Sequence, residues 1–279
     1  MSTMSQTLPV YFDRLIDAWE NGRSGRCAHL GHWDFTPEPG EADAGSDGFR
    51  IAQQRLDDVI IEMAIVRSGQ SVLDVGCGLG GLIEGIDLQF SDMSLTGINI
   101  DPRQLDICQR LRSNSQNSIR WQEADACELP FPDNSFDRVF CVEAMFHFTS
   151  RRTFLAEVRR VLKPAGRFAG SDIRLTDSPT TASTPRFMIK ALLNDGYGPW
   201  PDPWTSDGTA FSICQELGFA DVKLMDATTN TFPMYDYIIS KNHSEHDDPV
   251  DAALRSAMLL RWLHTNGGLR YEYLSGVKV

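Results

Sequence analysis

The stretch "VLDVGCGLGG" at residues 72–81 constrains this chain more than any other. Val72, Leu73 and Val75 form a short apolar run, the mark of a strand covered on both faces, and it ends abruptly in glycines. Glycine tolerates positive φ and leaves the backbone bare. A strand that ends this way can turn sharply and bring N–H groups, and the start of the next helix, close to a ligand. Gly76, Gly78 and Gly81 satisfy the G-x-G-x-x-G spacing of a dinucleotide-binding turn. Asp74, two places before the first glycine, points to a different cofactor. Both readings demand an α/β fold with its ligand at the carboxyl end of a parallel strand.

The flanking sequence keeps that rhythm. Strands are expected at 71–76, 94–100, 119–125, 136–142 and 167–173, separated by helices at 79–89, 101–114 and 152–162. In the last of these helices Phe154, Leu155, Val158, Val161 and Leu162 fall on one face. Two helices, at 10–21 and 49–66, precede the first strand, with the acidic loop "GEADAGSDG" (40–48) between them. After residue 174 the alternation breaks at "TDSPTTASTPRF" and "GYGPWPDPW", too rich in Pro, Gly and Thr for a plain crossover, which reads as an inserted lid. A helix at 207–217, strands at 220–228 and near 234–240, and an amphipathic helix over 248–265 are expected to complete the fold. The expectation is α/β: a doubly wound, seven-stranded, mostly parallel sheet with helices on both faces, an N-terminal helical cap and an inserted lid.

Composition narrows the partners. A net charge of −12 and a pI near 4.9 set the protein's own field against a nucleic-acid backbone, so a small molecule is the expected partner and nucleic acid is not. No apolar run approaches a membrane span and the N-terminus lacks a signal pattern, so a cytoplasmic protein with no membrane partner is expected. The six cysteines contain no C-x-x-C pair, so free thiols and no structural metal are expected, and Cys77 reads as a small residue filling space inside the glycine loop.

A nicotinamide cofactor calls for an acid at the end of the second strand, where this chain has Asn99. Four features in order, "LDVGCGLG", "TGINID", "EADACELPFPDNSFDRVF" and "EVRRVLKPAGRF", resemble a class I S-adenosylmethionine-dependent methyltransferase over residues 60–172. The resemblance implies a Rossmann-like fold and S-adenosylmethionine as cofactor, S-adenosylhomocysteine being its product. It divides the chain into an N-terminal cap and lid (1–66), a cofactor-binding core (67–174), an inserted lid (175–206) and a C-terminal completion (207–279), all within one structural domain. It also implies that Asp74, Gly76, Cys77, Gly78 and Gly80 surround the methionine tail. Asn99, an amide where the family normally has an acid, would hold the ribose with Gln104 nearby. Asp125 and Ala126 would contact the adenine, with Ile100 and Leu129 sandwiching it. The N-terminal "RCAHLGHWD" and the "VEAMFHF" after strand four look like the small-molecule enzymes of tocopherol, sterol and natural-product tailoring.

Methyl transfer is an in-line displacement, so a lid that aligns two reactants and excludes water is expected. Tyr11, His29, His32, Trp33, Phe146, Trp200 and Trp204 are the candidate substrate-facing residues. Glu143 and His147, just past strand four, are the candidate catalytic residues, each able to serve as a general base. The H-x-x-H-x-D run of His29, His32 and Asp34 tempts a metal reading, but a substrate-facing loop is preferred, and magnesium is expected only if the substrate carries a diphosphate. Arg14, Arg23, Arg26 and Arg50 can bind an anion or simply be solvated. The expected acceptor is a small, largely apolar metabolite such as an isoprenoid, quinone-like ring or alkaloid. Whether carbon, nitrogen or oxygen is methylated stays open, as does a homodimer. The competing readings are a nicotinamide-dependent oxidoreductase and a catalytically silent S-adenosylmethionine-binding module.

Overall fold

The computed structural model describes residues 8, 11–34, 47–113, 116–242 and 252–279, so most of the acidic loop at 40–48 and the start of the helix expected at 248 lie outside the described residues. Helices α1 (Tyr11–Glu20) and α2 (Asp47–Ala64) come first. The alternation then runs β1 (Ser71–Val75), α3 (Gly81–Gln89), β2 (Ser94–Asn99), α4 (Pro102–Cys108), β3 (Ser118–Glu123), β4 (Phe136–Cys141), α5 (Arg151–Val161) and β5 (Leu162–Leu175). Beyond it follow α6 (Arg186–Tyr197), α7 (Ala210–Glu216), β6 (Phe219–Asp226), α8 (Pro233–Asn242), α9 (Ala252–Thr265) and β7 (Leu269–Lys278). No helix among the described residues is long and apolar enough to cross a membrane.

The strands join in one seven-stranded sheet of order β3-β2-β1-β4-β5-β7-β6, with β7 antiparallel to both of its neighbours and the remaining pairings parallel. Side chains of β1 alternate between two cores, as a strand period of two requires. Val72 packs with α2, α3 and α9 on one face, while Leu73 and Val75 pack with α5 and α7 on the other. Local chemistry fixes where the crossover helices begin. Asp101 accepts from Arg103 N ahead of Pro102 in the first turn of α4, Ser150 accepts from Thr153 N at α5, and Thr209 accepts from Ser212 N at α7. From β1 the chain moves outward to β2 and β3, then returns to β4 on the other side, and a cleft opens where that order reverses.

One expectation, the last strand, needs correction. Residues 234–240 are not a strand but lie in α8, whose Pro233 occupies the first helical position, where a missing N–H costs nothing. The bulky run there mimics strand alternation, yet it wraps as a helix that buries Tyr235 and exposes Asp236. The last strand is β7, "LRYEYLSGVK", which inserts between β5 and β6. The segment after β5 is not wholly irregular, since it contains the three-turn helix α6.

Candidate active site

A cavity of about 840 Å³ opens at the carboxyl ends of β1, β2 and β4. At its β1 end the glycine loop has φ of 75° at Gly76, 54° at Gly78 and 87° at Gly80. The glycines serve different ends. A Cβ on Gly78 would meet nothing within 4 Å, so bare backbone faces open space, whereas one on Gly80 would strike the Trp121 ring at 2.8 Å. Gly80 therefore does not line the cavity and makes room for an indole instead. Gly76 N and Cys77 N both donate to Ile98 O, tying the loop to β2 and aiming it at the N-terminus of α3. Cys77 lines the wall and packs with Cys108, and its thiol is raised chiefly by that neighbour and then by burial.

Three polar groups stand around this end. The Asp74 carboxyl, 3% exposed, is pushed up to about 8 by burial and, second, by the Asp57 charge. Asn99 donates through Nδ2 to Gln104 Oε1 at 2.9 Å, which leaves Gln104 Nε2 buried without a partner. An unpaired buried donor on a cavity wall is complementary to a ligand oxygen. The two amides thus offer polar contacts at the end of β2. Asp125 and Ala126 line the next stretch of wall, and Asp125 steadies its own turn by accepting from Cys127 N at 2.7 Å. Ile100 also lines the cavity, but Leu129 does not: it is buried in the core beside Phe136.

Just past β4, Glu143 holds a left-handed backbone (φ 48°) that a side chain of its size rarely adopts. Its surroundings explain this. Glu143 N donates to Ser171 Oγ at 2.9 Å, and Oε1 accepts from Leu30 N at 2.8 Å and from the Tyr271 hydroxyl at 2.7 Å. Burial raises its carboxyl above the ordinary range, with His29, Tyr271 and Leu30 partly offsetting the shift. Four residues on, His147 Nδ1 lies 3.0 Å from Pro199 O. A carbonyl can only accept, so Nδ1 carries the proton and Nε2 is left as an acceptor, 3.1 Å from the Tyr11 hydroxyl. Burial pushes this imidazole down to about 4. Tyr11 stacks on His147 and meets Tyr197 edge-on, while Phe146 packs against Trp200 with ring centres 4.5 Å apart. Beyond these rings the wall is apolar: Phe12, Ile173, Met234, Ile238, Leu254 and Leu260.

Of the predicted site residues, Asp74, Gly76, Cys77, Gly78, Asn99, Ile100, Gln104, Asp125, Ala126, Glu143, His147, Tyr11, His29, Phe146 and Trp200 share this cavity. Gly80, His32, Trp33 and Trp204 do not line it. His32 bonds the Tyr273 hydroxyl and Asp34, Trp33 packs on Phe49, and Trp204 lies under the Arg186 guanidinium. The H-x-x-H-x-D run is thus split, with His29 turned instead toward Asp57 at 3.1 Å. Arg14 and Arg26 reach the wall, whereas Arg23 and Arg50 pair with nearby aspartates at the surface. Sequence reasoning missed Asp57, Tyr197 and Tyr271. Asp57 had a signal, because an acid and Gln53 interrupt the otherwise apolar face Phe49, Ala52, Leu56 and Ile60 of α2.

A methyltransferase domain family matches residues 73–170. Methyltransferase GfsG of Streptomyces halstedii is 34% identical over 147 residues, 52% of this chain and 50% of that protein, so the chain spans half of that relative's length. O-methyltransferase rstn1 of Aspergillus nomiae is 32% identical over 200 residues, 71% of this chain and 82% of that one. Among solved structures, the geranyl diphosphate C-methyltransferase of Streptomyces coelicolor A3(2), determined with Mg2+, geranyl diphosphate and S-adenosyl-L-homocysteine, superposes with a TM-score of 0.69. It is 14% identical, with 97% of this chain and 99% of that one covered, a likeness of fold.

Proposed function

Because the chain belongs to the class I S-adenosylmethionine-dependent methyltransferases, we propose that it methylates a hydroxyl group of a small, largely apolar metabolite. The observation that carries this reading is a single continuous cavity. The glycine loop, Asp74, Asn99, Gln104 and Asp125 line it together with a set of aromatic and aliphatic side chains, and His147 lines it with an unprotonated nitrogen.

S-adenosylmethionine, when bound, supplies an electrophilic methyl group on sulfur. The residues of this chain do the rest. Asp74 would hold the ammonium of the methionine tail, the backbone N–H groups around Gly78 and the start of α3 would hold its carboxylate, and Gln104 Nε2, buried without a partner, would donate to the ribose. His147, neutral and fixed in one tautomer by Pro199 O, accepts the acceptor hydroxyl's proton at Nε2, the position where the Tyr11 hydroxyl now donates. Glu143 is held in place by Leu30 N and the Tyr271 hydroxyl, both donating to Oε1. Trp200 Nε1, buried without a partner, is a donor for a substrate oxygen. Tyr11, Phe146, Tyr197 and Trp200 pack together and exclude water. The name of the O-methyltransferase relative favours oxygen as the methylated atom.

Calorimetry with S-adenosylhomocysteine and NAD, followed by turnover of a panel of hydroxylated terpenoids and polyketides, tests this. Binding of S-adenosylhomocysteine alone is expected, with turnover of at least one compound. His147→Ala should lose roughly 100-fold or more in kcat while keeping its affinity for S-adenosylhomocysteine. Tight NAD binding, or an unchanged kcat in that variant, overturns the proposal. No turnover across the panel leaves a silent binding module as the reading.

A further inference from the structure

Cys27, His29 and Asp57 meet on the cavity wall near Asp74, and none of the three is assigned a part in methyl transfer. Cys27 and His29 are two residues apart on the loop after α1, and Asp57 rises between them from α2. Cys27 Sγ lies 3.3 Å from Asp57 Oδ2, and His29 Nε2 lies 3.1 Å from Asp57 Oδ1. The three donor atoms all fall within 4.8 Å of one another. Zinc bonds of about 2.0–2.3 Å place tetrahedral ligands roughly 3.3–3.6 Å apart; the two short separations here end on different oxygens of Asp57, and the donor set as a whole, within 4.8 Å, would draw together around one ion.

The backbone is set independently of these side chains. Gln53 Nε2 donates to Cys27 O at 2.7 Å and to His29 O at 3.2 Å, which holds the loop on α2. Room for the sulfur comes from Gly81, where a Cβ would lie 2.6 Å from Cys27 Sγ. The sulfur therefore rests on the first residue of α3, where burial and then the Asp57 charge raise its thiol. A divalent cation held by thiolate, neutral imidazole and carboxylate forms a group of no net charge, the protons it displaces going to solvent.

We propose that Cys27, His29 and Asp57 form a binding site for a thiophilic divalent cation of the zinc type, with a fourth coordination position open to the cavity. Thiolate and imidazole exclude magnesium or calcium as the natural occupant, since those ions take oxygen ligands. The ion fastens the loop to α2 beside Asp74 and leaves one position for water or an oxygen of the cavity's occupant. The site goes beyond methyl transfer and stands or falls without it.

The test is cobalt(II) titration of the metal-stripped full chain under reducing conditions and without cofactor, with zinc added afterwards as competitor. One equivalent should bind, giving a thiolate-to-cobalt charge-transfer band and the intense ligand-field bands of a tetrahedral site, both bleached by zinc. Cys27→Ser, nearly isosteric, should lose the charge-transfer band with an unchanged circular dichroism spectrum. His29→Ala and Asp57→Asn should each weaken binding by about tenfold or more. Cys127→Ser, a half-buried free thiol outside the cluster, should leave the spectrum intact. Absence of stoichiometric binding overturns the proposal, and so does a charge-transfer band that survives Cys27→Ser. Calorimetry with S-adenosylhomocysteine on the same samples reports on the methyltransferase reading separately.

Discussion

Asp74 shows how much one buried carboxyl can govern. Burial first, and then the facing Asp57, raise it to about 8, with the His29 charge partly offsetting them, so in the empty protein at neutral pH it is largely protonated. Its folded-state value lies above the unfolded one, the reverse of the usual aspartate case. Its ionisation therefore costs stability progressively as pH rises from the unfolded value toward about 8. An ammonium group placed against it reverses that cost, but only after the proton has left. Affinity for S-adenosylhomocysteine should therefore rise between roughly pH 6 and pH 8, by at most about tenfold per unit, and level off above. Calorimetry across that range, in buffers of different ionisation enthalpy, should detect proton release on binding. Asp74→Asn should bind more weakly above pH 8 and lose the slope. A wild-type affinity flat with pH would remove Asp74 from the ammonium contact. The residue itself was legible from its place before the glycines. Its depressed acidity was not, because that depends on Asp57 arriving from a different helix.

At the scale of elements, the sequence was most legible where local chemistry and burial agree. Strand β1, capped α4 and amphipathic α5 are where their patterns put them. It misled where they conflict, at α8, whose aromatic and β-branched run carries strand propensity although its neighbours impose a helix. The inserted segment is attached by a contact that no local pattern announces. Arg151, at the start of α5, pairs with Asp172 on β5 at 2.7 Å and donates to Asp202 O at 2.7 Å and to Ile173 O. Both partners are almost wholly buried, so the pair joins helix, central strand and insert at once. Removing one member strands the other charge in the interior, at a cost of about 3–5 kcal/mol. Arg151→Met should lower the unfolding free energy by that amount in urea titrations. The double substitution Arg151→Met with Asp172→Leu should recover part of it. A loss below about 1 kcal/mol in the single variant would mean that water reaches the pair.

Across the whole molecule, the sheet provides the cleft and the segments outside the sheet's alternation close it. Tyr11 comes from α1, Leu30 from the following loop, Tyr197 from α6 and Pro199 from just beyond it, and all four converge on Glu143, His147 or Tyr11 itself. The glycine-loop end of the cavity was readable because a single continuous stretch builds that loop and β2's end, whereas the chamber is assembled from segments far apart in sequence, where spacing carries no information. Trp33 and Trp204 illustrate this: as aromatics in presumed lids they promised substrate contact, but one anchors its loop on α2 and the other sits under Arg186. A closure built from several weak contacts opens locally at lower cost than the sheet behind it. A ligand that spans both ends should therefore protect the closing segments as well as the loop it touches. At 100 times its dissociation constant it adds about 2.7 kcal/mol to global stability. In hydrogen exchange, S-adenosylhomocysteine alone should slow amides chiefly at 74–104 and 124–127. Adding a methylated product should extend protection to 11–33 and 194–200, through Tyr11 and Pro199. If the product leaves those two segments exchanging as before, the acceptor does not occupy the aromatic chamber, and its place must be sought on another wall of the cavity.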